Sequence, residues 1–352
     1  MKGKLSALFM ALLVLALILT ACAPAEKETA KEEPVEAARR LQLIKDRGSL
    51  IVGCNAELPG FGYINPAGEF EGFDVDFGKA IAAAVFGDAT KVEFRPLTAP
   101  ARLPALQTGE VDVLLRNTTW TLTRDTANEL DWAAITFYDG QGMMVRKASG
   151  WKTLEDMEGA TIATTTGTTT EMNLADSFRS RGIEYTPLLF ESTQDTNTAY
   201  EEGRADGETS DKSQLAALRS AMANPDEHVI LDLTMSKEPL GPLTAHGDNQ
   251  WNDVVRWVAW GMMQAEESGV SSKNVDAMLA SKDPTIQRLL GVSGEMGASL
   301  GLDNDFMVKI LKQVGNYEEV YDRHLGPKGI NIPRGPNNLW NKGGLLYPMA
   351  WR

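Results

Sequence analysis

From about Leu41 onward, short apolar runs alternate with stretches in which apolar residues recur every three or four positions. Residues 50–54, LIVGC, form an unbroken apolar run of strand length. Phe77, Ala80, Ile81, Ala84 and Val85 fall at i, i+3, i+4, i+7 and i+8, which predicts a buried helix face ending at Gly87. Val92 and Phe94 alternate with polar neighbours and predict a second strand. Residues 101–108 predict a short helix with Gly109 at its C-terminal cap, and residues 111–115 a third strand. Strand, helix, strand, helix, strand is the order of a parallel α/β sheet.

The rhythm restarts near residue 160. Strands are predicted at 161–164, 185–190, 205–209 and 228–231, and helices from near Thr168, over 196–202 and over 213–222. The last third is helical: Trp251, Val254, Val255, Val258 and Met262 share one face, Ile286, Leu289 and Leu290 a second, Phe306, Ile310 and Leu311 a third. Glycine-rich 138–142 and Pro/Gly-rich 238–242 read as two crossings between the α/β units. The expected organisation is a first lobe begun by 41–141, a second lobe over 142–238, and a return segment with a helical region over 239–352. No solenoid or propeller period is present.

The N-terminus reads as an address. Lys2 and Lys4 precede an apolar run from Leu5 to Leu19, then Thr20, Ala21 and Cys22, the layout of a secretory signal over 1–22. The run is shorter than the roughly 20 residues a spanning helix needs. Leu19-Thr20-Ala21-Cys22 looks like a bacterial lipobox, in which the Cys22 thiol is lipidated. Residues 23–40, rich in Ala, Glu, Lys and Pro at their start, read as a flexible tether. The expected location is therefore extracytoplasmic, membrane-anchored by lipid.

Composition narrows the function classes. The 352 residues carry 34 basic and 48 acidic side chains, a net charge of −14, which argues against nucleic acid as a partner. His228, His246 and His324 do not stand at metal-ligand spacing, so no metal and no other cofactor is expected. With Cys22 consumed, Cys54 is expected to be a small buried strand residue.

Three segments leave predicted strands with binding chemistry. Arg116-Asn-Thr-Thr-Trp-Thr-Leu-Thr-Arg124 follows strand 111–115, and ligands of open parallel sheets sit beyond the carboxyl ends of strands. Arg124 offers a fork for a carboxylate, or else a surface ion pair. Thr164-Thr-Thr-Gly-Thr-Thr-Thr-Glu171 opens a helix whose free N–H groups suit an anion. Thr168 and Glu171 also fit a plain capping box. Asp211 stands where a strand hands over to a helix, either as an N-cap or as partner to an ammonium group. Together they complement a zwitterionic amino acid held between two lobes.

The stretches GFDVDFGKAIAAAVFGDATKVEF, ALQTGEVDVLLRNTTWTLTRDT, TFYDGQGMMV, SKEPLGPL, GDNQWNDVVRWV and NLWNKGGLLYPM resemble the periplasmic amino-acid-binding proteins of polar amino-acid ABC importers, in particular the general L-amino-acid branch. The resemblance implies a two-lobed periplasmic-binding-protein fold, each lobe a mostly parallel sheet flanked by helices, closing by hinge motion. It implies no catalysis, with a free L-amino acid and importer permease subunits as partners. By the same resemblance Asn117 and Thr119 lie by the ligand, Arg124 takes its α-carboxylate with help from Gly167, Thr168 and Thr169, and Asp211 takes its amine. The first-loop aromatic of that family is replaced by Leu58, which makes Phe61 and Trp120 candidates for contact, and small residues near Ala99 imply a wider pocket. Glu57 is either a selector of polar or basic side chains or simply exposed. The alternatives are a dehydratase on the same scaffold, with Glu57, Glu171 or Glu208 as general acid, and a sensor that presents its closed form to a receptor. Ser149-Gly-Trp-Lys152 has the spacing of a serine acylase without its companion motifs and reads as a surface loop.

Overall fold

The computed structural model describes residues 40–352; the signal segment, Cys22 and residues 23–39 of the expected tether lie outside the described residues. Arg40, the last residue of that expected tether, already belongs to helix α1 (Arg40–Arg47). The chain continues through β1 (Leu50–Cys54), the small antiparallel strands β2 (Glu57–Leu58), β3 (Gly62–Ile64) and β4 (Phe70–Glu71), and α2 (Phe73–Phe86). Then come β5 (Val92–Pro96), α3 (Arg102–Gln107), β6 (Val113–Leu115), α4 (Leu122–Thr126) and β7 (Leu130–Trp132).

Strand β8 (Phe137–Arg146) carries the chain into a second α/β unit of β9 (Thr161–Thr165), α5 (Thr169–Arg181), β10 (Thr186–Phe190), α6 (Thr193–Glu201), β11 (Gly207–Asp211), α7 (Lys212–Ala221) and β12 (His228–Ile230). Strands β13 (Lys237–Leu240) and β14 (Leu243–Ala245) return it, and α8 (Asn249–Glu267) begins the helical last third.

Each unit is built around its own sheet. The first has the order β5-β1-β6-β14-β7 and the second β10-β9-β11-β8-β12, with β13 also on β8. In each, one half is a parallel ladder: β5, β1 and β6 in the first, β10, β9 and β11 in the second. The other half is antiparallel, because β8 enters the second sheet and β14 the first directly from the crossings, without the helix a parallel return requires. The sheets are thus mixed, half parallel and half antiparallel.

Alternation explains how β1 is placed. Leu50 and Val52 face the largest cluster, which also holds α2 and α8, while Ile51 packs on the opposite face with Leu106 and Trp132. Helix α2 ends as expected: Gly87, at φ 71°, caps it and donates its N–H to the Ala83 carbonyl. The helical last third packs on the first sheet, since Val254, Val258, Ile310 and Tyr317 share that cluster with Val52 and Phe77.

The crossings pair with one another. Phe137 at one end of β8 belongs to the first core, and Met143 and Val145 at the other end to the second. β13 lies antiparallel to β8 with Glu238 opposite Asp139. Gly241, just past β13, passes so close to residue 134 that a Cβ would lie 1.9 Å from the Ala134 carbonyl oxygen, so only glycine fits. Cys54 is a buried free thiol, pushed to a higher pKa chiefly by burial. Among the described residues no helix is long and apolar enough to cross a membrane.

Candidate ligand cleft between the lobes

The carboxyl ends of β1, β6, β9 and β11 converge on one cleft. Past β6 the chain turns at Asn117, which adopts φ 33°, a left-handed conformation that Asn tolerates better than most residues. The Asn117 N–H donates to Asp74 Oδ2 at 2.8 Å. Asp74 is buried and its pKa is pushed up to about 6, mainly by desolvation, with the Asn117 N–H and the Arg116 charge opposing. Thr121 then caps α4, its hydroxyl accepting the Arg124 N–H, and so sets Arg124 in the first turn.

On the other lobe Thr168 caps α5 by accepting the Glu171 N–H. The reciprocal half of the expected capping box is altered: Glu171 Oε2 takes the N–H of Gly167 at 2.8 Å and the Thr166 hydroxyl at 3.1 Å. Asp211 is the residue before α7 but its side chain makes no capping hydrogen bond. Its carboxylate instead lines the cleft.

The cavity there is lined by Arg102, Arg116, Asn117 and Thr119 from one lobe and by Thr168, Thr169, Asp211 and Gln214 from the other. Its free volume is about 20 Å³, room for about one water, so the lobes stand closed on each other. Direct bonds hold them. Asn117 Nδ2 donates to Gln214 Oε1 at 3.4 Å, and the Gln194 N–H donates to Glu57 Oε2 at 3.2 Å. The Thr119 and Thr169 hydroxyls are 3.4 Å apart. A Cβ on Gly167 would lie 3.3 Å from the Pro100 Cα across the cleft. A ligand of more than water size enters only if the lobes part, the kind of hinge motion that paired crossing strands allow.

Charge is segregated across this cavity. The first lobe supplies three buried arginines. Arg102 is 3% exposed, and its Nε has no hydrogen-bond partner among the described residues. Burial, then the nearby Arg116 and Arg124 charges, hold its pKa well below the ordinary value. Arg116 donates Nε to the Leu97 carbonyl at 2.7 Å and is lowered to about 10, chiefly by burial. Arg124 is 6% exposed and donates Nη1 to the Thr119 carbonyl at 2.9 Å. Burial lowers its pKa, and the carboxylates that oppose this are Glu238 and then Asp211.

The hinge and second lobe supply the negative side. Asp211 is pushed well above the usual carboxylate range by burial and then by Asp139 and Glu238, with Arg102 and Arg124 pulling the other way. Asp139 is raised to about 6, first by burial. A group carrying a carboxylate at one end and an ammonium at the other matches this field; a neutral apolar ligand leaves both sides uncompensated.

The structure brings Asn117, Thr119, Thr168, Thr169 and Asp211 to the cavity wall, with Arg124 directly behind Thr119. Trp120 is not part of the lining of this closed cavity; its indole stacks on Trp132 at 5.9 Å and donates Nε1 to Asp125 at 2.9 Å. Phe61 is also elsewhere, buried against Phe73 and Phe137 in the first core. Glu57 is half-buried and engaged by the opposite lobe's backbone rather than free to select a side chain.

Sequence reasoning missed Arg102, Gln214 and Glu238. The available signal for Arg102 was an arginine inside the otherwise apolar turn Arg102-Leu-Pro-Ala-Leu106. It also missed a group that chain spacing cannot show: Asp125, Asp131 and His246 bring three potential ligand atoms within 4.8 Å of one another. Those side chains already have partners, His246 on Asp131 at 3.1 Å and Asp125 on Trp120.

Residues 50–327 match the family model of bacterial extracellular solute-binding proteins, family 3. The chain is 48% identical over 314 residues to the general L-amino acid-binding periplasmic protein AapJ of Rhizobium johnstonii, spanning 88% of this chain and 92% of that one. It is 45% identical over 318 residues to the glutamate/glutamine/aspartate/asparagine-binding protein BztA of Rhodobacter capsulatus, spanning 90% and 94%. Among solved structures, the ABC transporter/periplasmic binding protein from Brucella ovis with glutathione bound is similar with a TM-score of 0.87 at 48% identity, covering 90% of this chain and all of that one. With its two mixed sheets, paired crossings and polar cleft, the chain belongs to the bacterial extracellular solute-binding proteins, family 3.

Proposed function

We propose that this protein captures a free L-amino acid between its lobes and delivers it to the permease of an ABC importer, held outside the cytoplasm by a lipid on Cys22. One observation carries the reading: Arg102 and Arg124 on one lobe and Asp211 on the other are buried at the same closed cleft, with unlike charges facing each other. The names of AapJ and BztA support it by analogy. On this reading residues 41–141 begin the first lobe, 142–238 form the second and 239–352 return to the first. The carboxyls considered for a dehydratase have other occupations: Glu57 meets Gln194, Glu171 holds Gly167, and Glu208 is sealed inside the second lobe.

The proposal also sets the side-chain preference. Arg124 serves the α-carboxylate, which leaves Arg102 and Arg116 facing the remaining volume. They suit a second carboxylate or its amide, as in glutamate, aspartate, glutamine and asparagine. Calorimetric titration against the twenty amino acids is expected to give its strongest heats with these, and no response to any amino acid refutes the reading. Arg102→Gln is expected to weaken glutamate about 30-fold and glutamine only a few-fold, since stranding a buried charge costs at least about 2 kcal/mol. Equal losses for both ligands would remove Arg102 from side-chain recognition. Lipidation is tested separately: Cys22→Ala is expected to release the protein from membranes in a fractionation experiment with binding intact.

A further inference from the structure

Glu238 sits on the return crossing and is 1% exposed. Its Oε2 accepts the Thr119 hydroxyl from the first lobe at 2.6 Å and the Thr169 hydroxyl from the second at 2.9 Å. Its Oε1 accepts Asn173 Nδ2 at 3.0 Å and the Ser236 hydroxyl. Arg124, which makes no ion pair among the described residues, feels Glu238 as its strongest opposite charge. Thr169 and Arg124 are among the groups that the family resemblance assigns to a ligand's α-carboxylate, and the same resemblance places Thr119 by the ligand. In the closed protein a carboxylate of its own already accepts both threonine hydroxyls and acts on Arg124 through its charge.

The hydrogen-bond count makes the two uses exclusive. A threonine hydroxyl has one proton to donate. When both hydroxyls give theirs to Glu238 Oε2, neither has one left for a ligand oxygen. A second carboxylate brought to the same two hydroxyls would also meet a like charge in a buried setting. We propose that Glu238 is a built-in competitor for the ligand's α-carboxylate: it latches the closed lobes through Thr119 and Thr169, and an arriving amino acid displaces it. The bonds to Asn173 and Ser236 keep Glu238 with the second lobe and hinge when the first lobe swings away. Opening therefore breaks the Thr119 bond and bares that hydroxyl together with Arg124.

The inference rests on reading the cleft as an amino-acid site, and its test separates the two. Glu238→Gln and Glu238→Ala are compared with the full-length wild type by calorimetry and stopped-flow binding of L-glutamate and L-glutamine. X-ray scattering of the ligand-free proteins accompanies them. If the latched form accounts for about nine-tenths of the ligand-free protein, removing it tightens the apparent Kd about tenfold. Glu238→Ala is expected to show that gain, a faster association rate and a larger radius of gyration without ligand. Glu238→Gln, which keeps an acceptor but loses the charge, is expected to show at least a threefold gain. An unchanged or weaker Kd in the folded variants overturns the latch. If Glu238→Ala does not fold, the near-isosteric Glu238→Gln alone decides. A wild type that binds no amino acid overturns the cleft reading instead.

Discussion

Asp211→Asn is expected to abolish amino-acid binding in the micromolar range while leaving the protein folded. The substitution is nearly isosteric, and Asp211 makes no capping bond to α7, so no helix terminus is lost. What disappears is the anion facing the ligand's ammonium group. Removing one partner of a buried hydrogen-bonded charge pair costs about 2–5 kcal/mol, or roughly 30-fold to several-thousand-fold in affinity. The ligand-free variant should be at least as stable as the wild type, because Asp211 is crowded by Asp139 and Glu238 as well as buried. Calorimetry and thermal melting on the same sample therefore separate loss of binding from loss of fold. A Kd within threefold of wild type would remove Asp211 from the site.

The same residue sets a pH dependence. Its carboxyl is raised well above the ordinary aspartate range, so the protonated form, which cannot pair with an ammonium, appears at correspondingly higher pH. Amino-acid affinity should be greatest where Asp211 is ionised and should fall as the solution is acidified. Asp139, raised to about 6, adds to the fall through its contacts with α7, since the Ser213 N–H and hydroxyl both donate to it. In Asp211→Asn the residual profile should flatten. A wild-type Kd that stays constant between pH 5 and 8 would contradict this account.

What the sequence made legible follows from what periodicity encodes. Alternation and three-four spacing report which face of one element is buried, so β1, α2 and, to within a residue, the strand ends at Leu115 and Thr165 were readable from local pattern. The pattern does not report which strand ends face each other. That depends on the angle set by the paired crossings, where Glu238 meets Asp139 across a turn of the chain about one lobe long. Glu238 therefore read only as part of a Pro/Gly-rich crossing. Trp120 is a related case: an aromatic leaving a strand beside threonines suits a ligand, Trp132 offers it a stacking surface on the same lobe, and nothing local distinguishes the two. Asp211 shows the converse. A strand-to-helix junction fits a cap and a ligand contact equally in sequence, and only the position of its carboxylate separates them.

Replacing Glu208 by Met is expected to stabilise the second lobe, by an amount that grows with pH. Glu208 is the second residue of β11, fully buried between β9 and β8, with Ala163 and Met144 as its strand neighbours. Neither carboxyl oxygen has a hydrogen-bond partner among the described residues. Burial, and secondarily the Glu201 charge, raise its pKa to about 8, against an ordinary glutamate value of 4.5. The folded protein thus keeps this proton up to about pH 8, while the unfolded chain loses it near 4.5. Between those values the unfolded state gains from ionisation and the folded state does not, so stability falls as pH rises through the window and levels off above it. At pH 7 the deficit is about 3 kcal/mol, taking about 1.4 kcal/mol per pH unit. Methionine has nearly the same length, has no group to ionise and packs in apolar surroundings. Urea melts of wild type and Glu208→Met should differ least near pH 4.5 and separate steadily toward pH 8, with the variant more stable. Parallel curves with a constant offset would mean that the difference is packing alone and that Glu208 carries no displaced titration.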